Sequence, residues 1–273
     1  MRLGLIGYGN IAGTLLGVLA EQGFRAGRLD VLARPGAVDR ARDSLADGAA
    51  RITEQFEVHE DVQGLIAAAP DMVVEVATHG AVKDSVTRCL AAGIDCTVVS
   101  VGALADAQVE QALHDAAVTG GALMRVVPGA VGGIDMLAAA RLSGLDEVVY
   151  TSRKPPRAWE GTPAEQALDL KGLTEAQVFY DGNARQAATD YPKNANVAAT
   201  IALAGAGFEA TRVRMIADPD APGNIHEFTV RSGALDFTVR LEGKPSPDNP
   251  KTSLSTVYSV ARDILNAAGP VAI

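Results

Sequence analysis

A glycine-rich stretch near the start of the chain has the spacing of a phosphate-binding turn. The pattern G-x-G-x-x-A is matched by Gly7-Tyr8-Gly9-Asn10-Ile11-Ala12. The first glycine permits a tight turn after a strand, the second lets the backbone approach a pyrophosphate, and the small last residue lets the next helix pack closely. The N-terminus of that helix then presents N–H groups to the phosphates. We therefore expect Gly7, Gly9, Asn10, Ile11 and Ala12 to bind a dinucleotide.

The end of the second apolar run bears on the choice of dinucleotide. An acidic residue commonly stands there and holds the ribose 2′-hydroxyl of NAD, whereas this chain has Arg34. A guanidinium can pair with the 2′-phosphate of NADP or stack on the adenine, and it can also be a solvated surface group. We expect NADP to be accepted beside NAD.

The four histidines are candidates for proton transfer near neutral pH. His59 and His114 lie in polar, helix-like surroundings and are expected at the surface. His79 follows a predicted buried strand, where it either lines the ligand site at the carboxyl edge of the sheet or caps a loop. His226 has the same strand parity as Phe228, so its ring points to the covered side of a sheet, either as a core residue or as a catalytic base.

Two further segments have residues suited to a ligand. The predicted helix start around 190–199 contains Lys193, Asn194 and Asn196, whose ammonium and amide groups suit an anion, although either asparagine can simply cap the helix. The segment Pro128–Asp135 contains three glycines, which permit close approach of a ligand to the backbone or form a hinge.

The elements that must position these residues follow from the apolar runs. Short apolar runs predict strands at 3–6, 29–33, 71–77, 96–101 and 124–127, and intervening helical patterns cover 11–20, 81–92 and 106–119. Strands that alternate with helices form a parallel sheet with right-handed crossovers. Residues 1–128 are therefore predicted to be a doubly wound Rossmann domain of the α/β class.

The pattern changes after Pro128. Strands are predicted at 147–153, 177–180, 212–217, 225–231 and 235–241, the last two joined by a two-residue turn at Ser232-Gly233. A smaller α+β domain with a mainly antiparallel sheet is expected over 129–245. Residues 246–273 are expected to form a C-terminal helix that returns to the first domain.

Composition excludes several classes of function. The chain has 24 Lys and Arg against 33 Asp and Glu, a net charge of −9, which leaves no basic surface for nucleic acid. Neither a signal peptide nor an apolar run of the ~18 residues needed to span a membrane is present, so a cytoplasmic protein is expected. Cys89 and Cys96 match no metal or redox spacing and are expected to be buried, reduced thiols, with no metal site.

Five segments taken together resemble the L-aspartate dehydrogenase family. They are Gly7–Ala12, Gly129–Asp135, Ser152–Pro156, Asn194–Ala198 and Asn224–Glu227. Each segment is short, but together they follow the family's order and spacing from residue 7 to 227, which is most of the chain.

The resemblance implies oxidation of L-aspartate to iminoaspartate with NAD or NADP. The imine then feeds NAD biosynthesis or hydrolyses to oxaloacetate and ammonia. The family's catalytic histidine falls on His226, and its nicotinamide-side contacts fall on Ala130 and Asn196. Lys193 is the first candidate for holding the substrate carboxylates, and it is also the alternative base. A homodimer formed through the second-domain sheet is consistent with the family.

Other functions remain open at this stage. A homoserine-dehydrogenase-like oxidoreductase shares the two-domain plan. A non-catalytic NAD(P)-binding sensor is the alternative from a different class, and its second domain should expose a large apolar patch. Aldehyde dehydrogenases with a nucleophilic cysteine are excluded, because Cys89 is predicted within a helix and Cys96 at the wrong end of a strand.

Overall fold

The computed structural model describes residues 1–192, 195–244 and 254–273. These residues form two compact units. The first comprises Met1–Val127 together with Val257–Ile273, and the second comprises Pro128–Thr256.

The first unit is built on a parallel sheet of six strands. They are β1 (Arg2–Ile6), β2 (Arg28–Leu32), β3 (Phe56–His59), β4 (Met72–Glu75), β5 (Asp95–Val98) and β6 (Met124–Val126). Their order is β3-β2-β1-β4-β5-β6, and each neighbouring pair is parallel. This is the doubly wound order of a dinucleotide-binding fold, in which ligands bind at the carboxyl edge where the strand order reverses, here between β1 and β4. The predicted fold class is confirmed.

Helices connect these strands. They are α1 (Asn10–Glu21), α2 (Val38–Ile52), α3 (Val62–Ala67), α4 (His79–Ala81), α5 (Thr87–Ala91) and α6 (Ala107–Gly120), with a π-helical turn at Val82–Val86 and a 3-10 turn at Val101–Ala105. The alternation of buried apolar strands with helices is what the sequence pattern predicts for such a unit. Cys89 on α5 and Cys96 on β5 are both buried and free, as expected.

One apolar core joins the first strands and helices to the end of the chain. It contains Leu3 and Leu5 of β1, and Leu15 and Leu19 of α1, all fully buried. Helix α12 (Leu254–Ala268) adds apolar residues to the same core, namely Val257, Val260, Ala261 and Ile264. Burial of this apolar stripe explains why the last helix belongs to the first unit although the second unit separates them along the chain.

The second unit combines a five-stranded mixed sheet with short helices. Its strands are β7 (Leu145–Lys154), β8 (Gln177–Asn183), β9 (Arg212–Ala217), β10 (Ile225–Ser232) and β11 (Phe237–Glu242), in the order β11-β10-β7-β9-β8. Its helices are α7 (Ile134–Arg141), α8 (Ala164–Ala167), α9 (Ala184–Asp190), α10 (Asn196–Ala204) and α11 (Gly207–Ala210), with a 3-10 turn at Pro156–Trp159. Only β7 and β9 pair in parallel among these strands, so the sheet is mainly antiparallel, as predicted.

The predicted two-residue turn between β10 and β11 is wrong. Strand β10 ends at Ser232 and β11 begins only at Phe237. The Ser232 hydroxyl donates to the carbonyl of Leu235 and accepts from the Leu235 N–H, while the Asp236 carboxylate accepts from the Ser232 N–H. These side-chain hydrogen bonds stabilise a longer loop that competes with the tight turn.

Candidate active site

The glycine turn after β1 has a backbone that only glycine tolerates well. Gly7 has φ of +107°, and a Cβ placed on it would lie 2.9 Å from the Cβ of Ala77 and 3.0 Å from the carbonyl oxygen of Val76. Its N–H donates to the carbonyl oxygen of Leu32 at 3.0 Å, which ties the turn between β1 and α1 to the end of β2. A Cβ on Gly9 would meet no atom within 4 Å, so the space above this glycine is open to a ligand.

Helix α1 begins directly after this turn, at Asn10. Gly9 is its N-cap and has no side chain that could cap the N–H groups of the first turn. Asn10 is exposed and Ile11 half-buried, whereas Ala12 is fully buried against the sheet. A small residue at the Ala12 position lets the helix approach the strand, and the uncapped N-terminus provides the positive end of the helix dipole. The residues of the turn therefore fit a bound dinucleotide pyrophosphate.

A buried carboxylate holds two of the loops at this sheet edge. The side chain of Glu75, the last residue of β4, accepts hydrogen bonds from the N–H of Ala77 at 2.7 Å and of Ser100 at 2.9 Å, and from the Ser100 hydroxyl at 2.8 Å. Burial raises the pKa of Glu75, and these donors partly oppose that rise. Glu75 thus fixes the loops that follow β4 and β5, which lie at the edge where such folds bind ligands.

Arg34 lies two residues beyond β2, at the same edge of the sheet, and its side chain is exposed. The carbonyl oxygen of Arg34 accepts a hydrogen bond from the N–H of Ala37, and the N–H of Gly36 donates to the Glu60 carboxylate at 2.8 Å. These two hydrogen bonds fix the backbone of the loop that contains Arg34. The position agrees with a role at the ribose end of a dinucleotide.

His226 lies on the covered face of the second unit's sheet. It is 6% exposed, and Phe228 and Val230, two and four residues further along β10, are buried on the same face. Its Nδ1 is 2.7 Å from the hydroxyl of Tyr150, a fully buried residue of β7. Burial raises the pKa of Tyr150 above its ordinary range, so the hydroxyl keeps its proton. Tyr150 therefore fixes the orientation of the imidazole and leaves Nε2 as the nitrogen for other partners.

Lys154 places a cation beside this pair. It is the last residue of β7, 8% exposed, and its Nζ lies 4.7 Å from the ring centroid of the buried Trp159. Burial lowers the pKa of Lys154 to about 8. Burial, followed by the charge of Lys154, lowers the pKa of His226 to about 3. The imidazole is therefore neutral at physiological pH, as a proton acceptor must be.

The remaining predicted site residues belong to the second unit or lie outside the described residues. Ala130 is half-buried in the glycine-rich segment before α7. Asn196 is exposed and is the first residue of α10, whose N-cap is Ala195. Lys193 and Asn194 lie outside the described residues.

The other histidines have different surroundings. His114 is exposed on α6, as expected, and His79 is half-buried at the start of α4, where Thr78 rather than His79 provides the cap. The expectation for His59 is wrong, because it lies on β3 and its Nε2 is 2.7 Å from the carboxylate of Asp30. Strand β3 has only four residues, so its alternation of buried and exposed side chains is too short to be recognised from the sequence.

Asp30, Glu57 and His59 are close enough to share a metal ion. Arg28 already occupies this cluster, because it donates to both oxygens of Asp30, at 2.7 and 2.9 Å, and also to Glu57. A guanidinium among the carboxylates replaces the charge that a metal would supply, so the cluster is an ion-pair network between β2 and β3.

The doubly wound unit with its glycine turn is that of an NAD(P)-binding oxidoreductase, and the second unit contributes a buried histidine. Residues 7–126 match the family described as homoserine dehydrogenase, NAD binding domain. Residues 135–267 match the family described as aspartate dehydrogenase, C-terminal.

Comparisons over most of the chain identify the family within this class of dehydrogenases. The chain is 48% identical over 239 residues to an L-aspartate dehydrogenase of Cupriavidus necator, covering 86% of each chain. It is 46% identical over 269 residues to an L-aspartate dehydrogenase of Polaromonas, covering 97% of each chain. The chain belongs to the L-aspartate dehydrogenase family. The crystal structure of aspartate dehydrogenase from Thermotoga maritima shares its fold, with a TM-score of 0.73 at 24% identity, covering 100% of this chain and 99% of the other.

Ser152–Pro156 entered the sequence analysis only as a family segment, and no site role was given there to Tyr150, Ser152 or Lys154. They alternate along β7 with half-buried residues, and this parity is the signal that could have grouped them. Polar residues at every second position of a strand can lie on a covered or on an exposed face, and the sequence pattern is the same in both cases. These residues could therefore be grouped as a buried set only once it was known that this face of β7 is covered. Glu75 was missed although a glutamate inside the apolar run Met72–Val76 is itself unusual.

Proposed function

We propose that this chain is an NAD(P)-dependent L-aspartate dehydrogenase that oxidises L-aspartate to iminoaspartate. The product feeds NAD biosynthesis or hydrolyses to oxaloacetate and ammonia. The observation that carries the proposal is the neutral, buried His226 hydrogen-bonded to Tyr150, in a chain of the L-aspartate dehydrogenase family. Membership of this family favours it over homoserine oxidation, although the first unit also matches a homoserine dehydrogenase domain.

The proposed cofactor contacts are those that the glycine motif and the family resemblance indicate. Gly7, Gly9 and the first turn of α1 would hold the pyrophosphate, and Arg34 would lie at the adenosine end. Ala130 and Asn196 are the proposed nicotinamide-side contacts. When bound, the nicotinamide supplies the hydride acceptor for the oxidation.

His226 is the proposed base. The substrate ammonium must lose a proton before Cα can give up a hydride and the C=N bond of iminoaspartate can form. Nε2 of His226 can take this proton, directly or through water, when Nδ1–H donates to the Tyr150 oxygen. Lys193 is retained as a proposed contact for a substrate carboxylate.

The test is reduction of NAD and of NADP by the purified protein with L-aspartate at alkaline pH, followed by absorbance at 340 nm. L-homoserine is assayed in parallel. Turnover with aspartate supports the proposal. Turnover with homoserine alone would replace it with the homoserine alternative, and cofactor binding without turnover of either would indicate a sensor.

The Arg34→Ala variant is expected to raise KM for NADP by about 10- to 100-fold and to change KM for NAD little. The reason is the loss of charge-assisted hydrogen bonds to the 2′-phosphate, a group that only NADP carries. Steady-state kinetics with each cofactor measure the effect, with the exposed Arg40→Ala as the matched control. Equal losses with both cofactors would indicate stacking on the adenine instead, and no loss would indicate a solvated surface residue.

We also propose a homodimer formed through the uncovered face of the second unit's sheet. This face carries Thr229 and Thr238, whose hydroxyls are 3.0 Å apart, and ion pairs such as Arg240 with Glu227. Light scattering on the eluting protein should give twice the mass of one chain. Thr229→Arg should reduce it to a single chain, because a long charged side chain would be placed in the proposed interface, whereas the exposed Thr119→Arg on α6 should not. A monomeric wild type would refute the proposal.

The cytoplasm is the proposed location. Cys89 and Cys96 are both free thiols in the interior of the first unit, which fits a reducing compartment. Among the helices of the described residues, none has both the length and the apolar character needed to cross a membrane.

A further inference from the structure

The covered face of β7 carries a row of polar side chains. Val148, Tyr150, Ser152 and Lys154 alternate along the strand, and all four are buried. Three polar residues in succession are unusual on a covered sheet face, because burial of polar groups is unfavourable unless they have partners. Tyr150 has a partner within the chain, the Nδ1 of His226.

Ser152 is the second member of this row. It is 1% exposed, and its hydroxyl lies next to that of Tyr150 but makes no hydrogen bond of good geometry within the part of the chain that the structure describes. In the register between β7 and β10, Ser152 lies directly opposite His226. A buried hydroxyl of this kind has hydrogen-bonding capacity left for a ligand next to the proposed base.

Lys154 is the third member and carries the positive charge. It follows Ser152 by two residues, so both side chains are on the face that carries His226. The ammonium lies over the Trp159 ring, and its charge acts on His226. A desolvated ammonium interacts more strongly with an anion than one in water does, because the local dielectric constant is low.

We propose that Lys154 and Ser152 bind the side-chain carboxylate of the substrate and so select dicarboxylic amino acids. This assignment rests on the proposed function for the identity of the substrate. L-Aspartate has two carboxylates, and the structure now offers a cation and a hydroxyl beside His226 for one of them. A bound carboxylate also offsets the charge of Lys154, which is the smaller of the two causes, after burial, that lower the pKa of His226, and so makes His226 a stronger base.

Steady-state kinetics of Lys154→Met test the assignment. We expect KM for L-aspartate to rise about 10- to 100-fold, as for loss of a charge-assisted hydrogen bond, while kcat changes much less and KM for the cofactor does not change. Lys154→Arg should recover part of the affinity, because it restores the charge. Lys171→Met, at an exposed lysine of the same unit, is the matched control.

A binding measurement separates this assignment from the proposed activity. Trp159 is the only tryptophan of the chain and lies against Lys154, so its fluorescence should report binding there. Succinate, a dicarboxylate without an amino group, should change the fluorescence saturably in the wild type and in Lys171→Met. Lys154→Met should need at least about 10-fold more succinate, and propionate should bind more weakly than succinate to the wild type.

The outcomes distinguish the two proposals. If the wild type does not oxidise aspartate but binds succinate in a Lys154-dependent way, the proposed function fails and the carboxylate site stands. If aspartate is oxidised and Lys154→Met lowers kcat with KM unchanged, Lys154 acts in proton transfer and the assignment is overturned. Succinate binding that is absent from the wild type, or equal in wild type and Lys154→Met, overturns it as well.

Discussion

Replacing His226 with alanine should lower kcat for L-aspartate oxidation by about 10²- to 10⁴-fold, the range for loss of a general base. The reason is that no other imidazole of the described residues lies on the covered face of the second unit's sheet. Cofactor affinity should change little, since the glycine turn belongs to the other unit. Initial rates at 340 nm and titration with NADH or NADPH measure the two effects separately.

The hydrogen bond between Tyr150 and Nδ1 adds a second prediction to the same experiment. A base needs an unprotonated Nε2, which requires Nδ1–H to donate to the Tyr150 oxygen 2.7 Å away. Tyr150→Phe removes this acceptor, so kcat should fall, though by less than in His226→Ala.

The pH dependence of the wild type follows from the same residue. The pKa of His226 is about 3 rather than the ordinary 6.5, so protonation of His226 should not lower kcat/KM as the pH falls through 6.5.

The control for His226 is the exposed histidine on α6. His114→Ala should keep the wild-type rate, since its side chain is 70% exposed. A His226→Ala variant that keeps most of its rate would refute the assignment of the base and leave Lys193 as the next candidate.

Much of the fold could be predicted from the sequence because its parallel strands are buried on both faces. Such strands appear as short apolar runs whatever the tertiary context, so Leu3–Ile6 and Met72–Val76 are recognisable at once. The position of His226 on the covered face follows from its parity with Phe228. Each of these features depends on local periodicity alone.

The features that were missed depend on contacts distant in sequence. His59 is held in the sheet by its hydrogen bond to Asp30, which lies 29 residues earlier in the chain. Tyr150 meets His226 across 76 residues, through the pairing of β7 with β10. The loop after β10 is set by the Ser232 and Asp236 side chains, which outweigh the turn preference of Ser232-Gly233. No local pattern shows these contacts or which face of β7 is covered, so the polar row of β7 is recognised as buried only once the strand register is known.

The second large effect concerns stability. Lys154→Met should increase the free energy of unfolding at pH 7 by up to about 3 kcal/mol. Burial lowers the pKa of Lys154 from 10.5 to about 8, and at about 1.4 kcal/mol per pKa unit this difference corresponds to about 3 kcal/mol. Methionine keeps an apolar side chain against Trp159 and removes the charge that is unfavourable to bury. Urea unfolding followed by the fluorescence of Trp159 gives the measurement.

The pH dependence identifies the cause. Below pH 8 the ammonium is charged in both states, so the folded wild type has the full desolvation penalty. Between pH 8 and 10.5 the folded state loses the proton first, and wild-type stability rises relative to the variant. The advantage of Lys154→Met should therefore be largest at pH 7 and small at pH 10, whereas Lys171→Met should show no such trend. A variant that is less stable than the wild type by the same amount at both pH values would mean that the folded chain already compensates the charge. A buried cation that lowers stability at neutral pH is expected where the cation serves to bind an anionic ligand, so a stabilised Lys154→Met with a raised KM for aspartate would assign Lys154 to substrate binding rather than to the core.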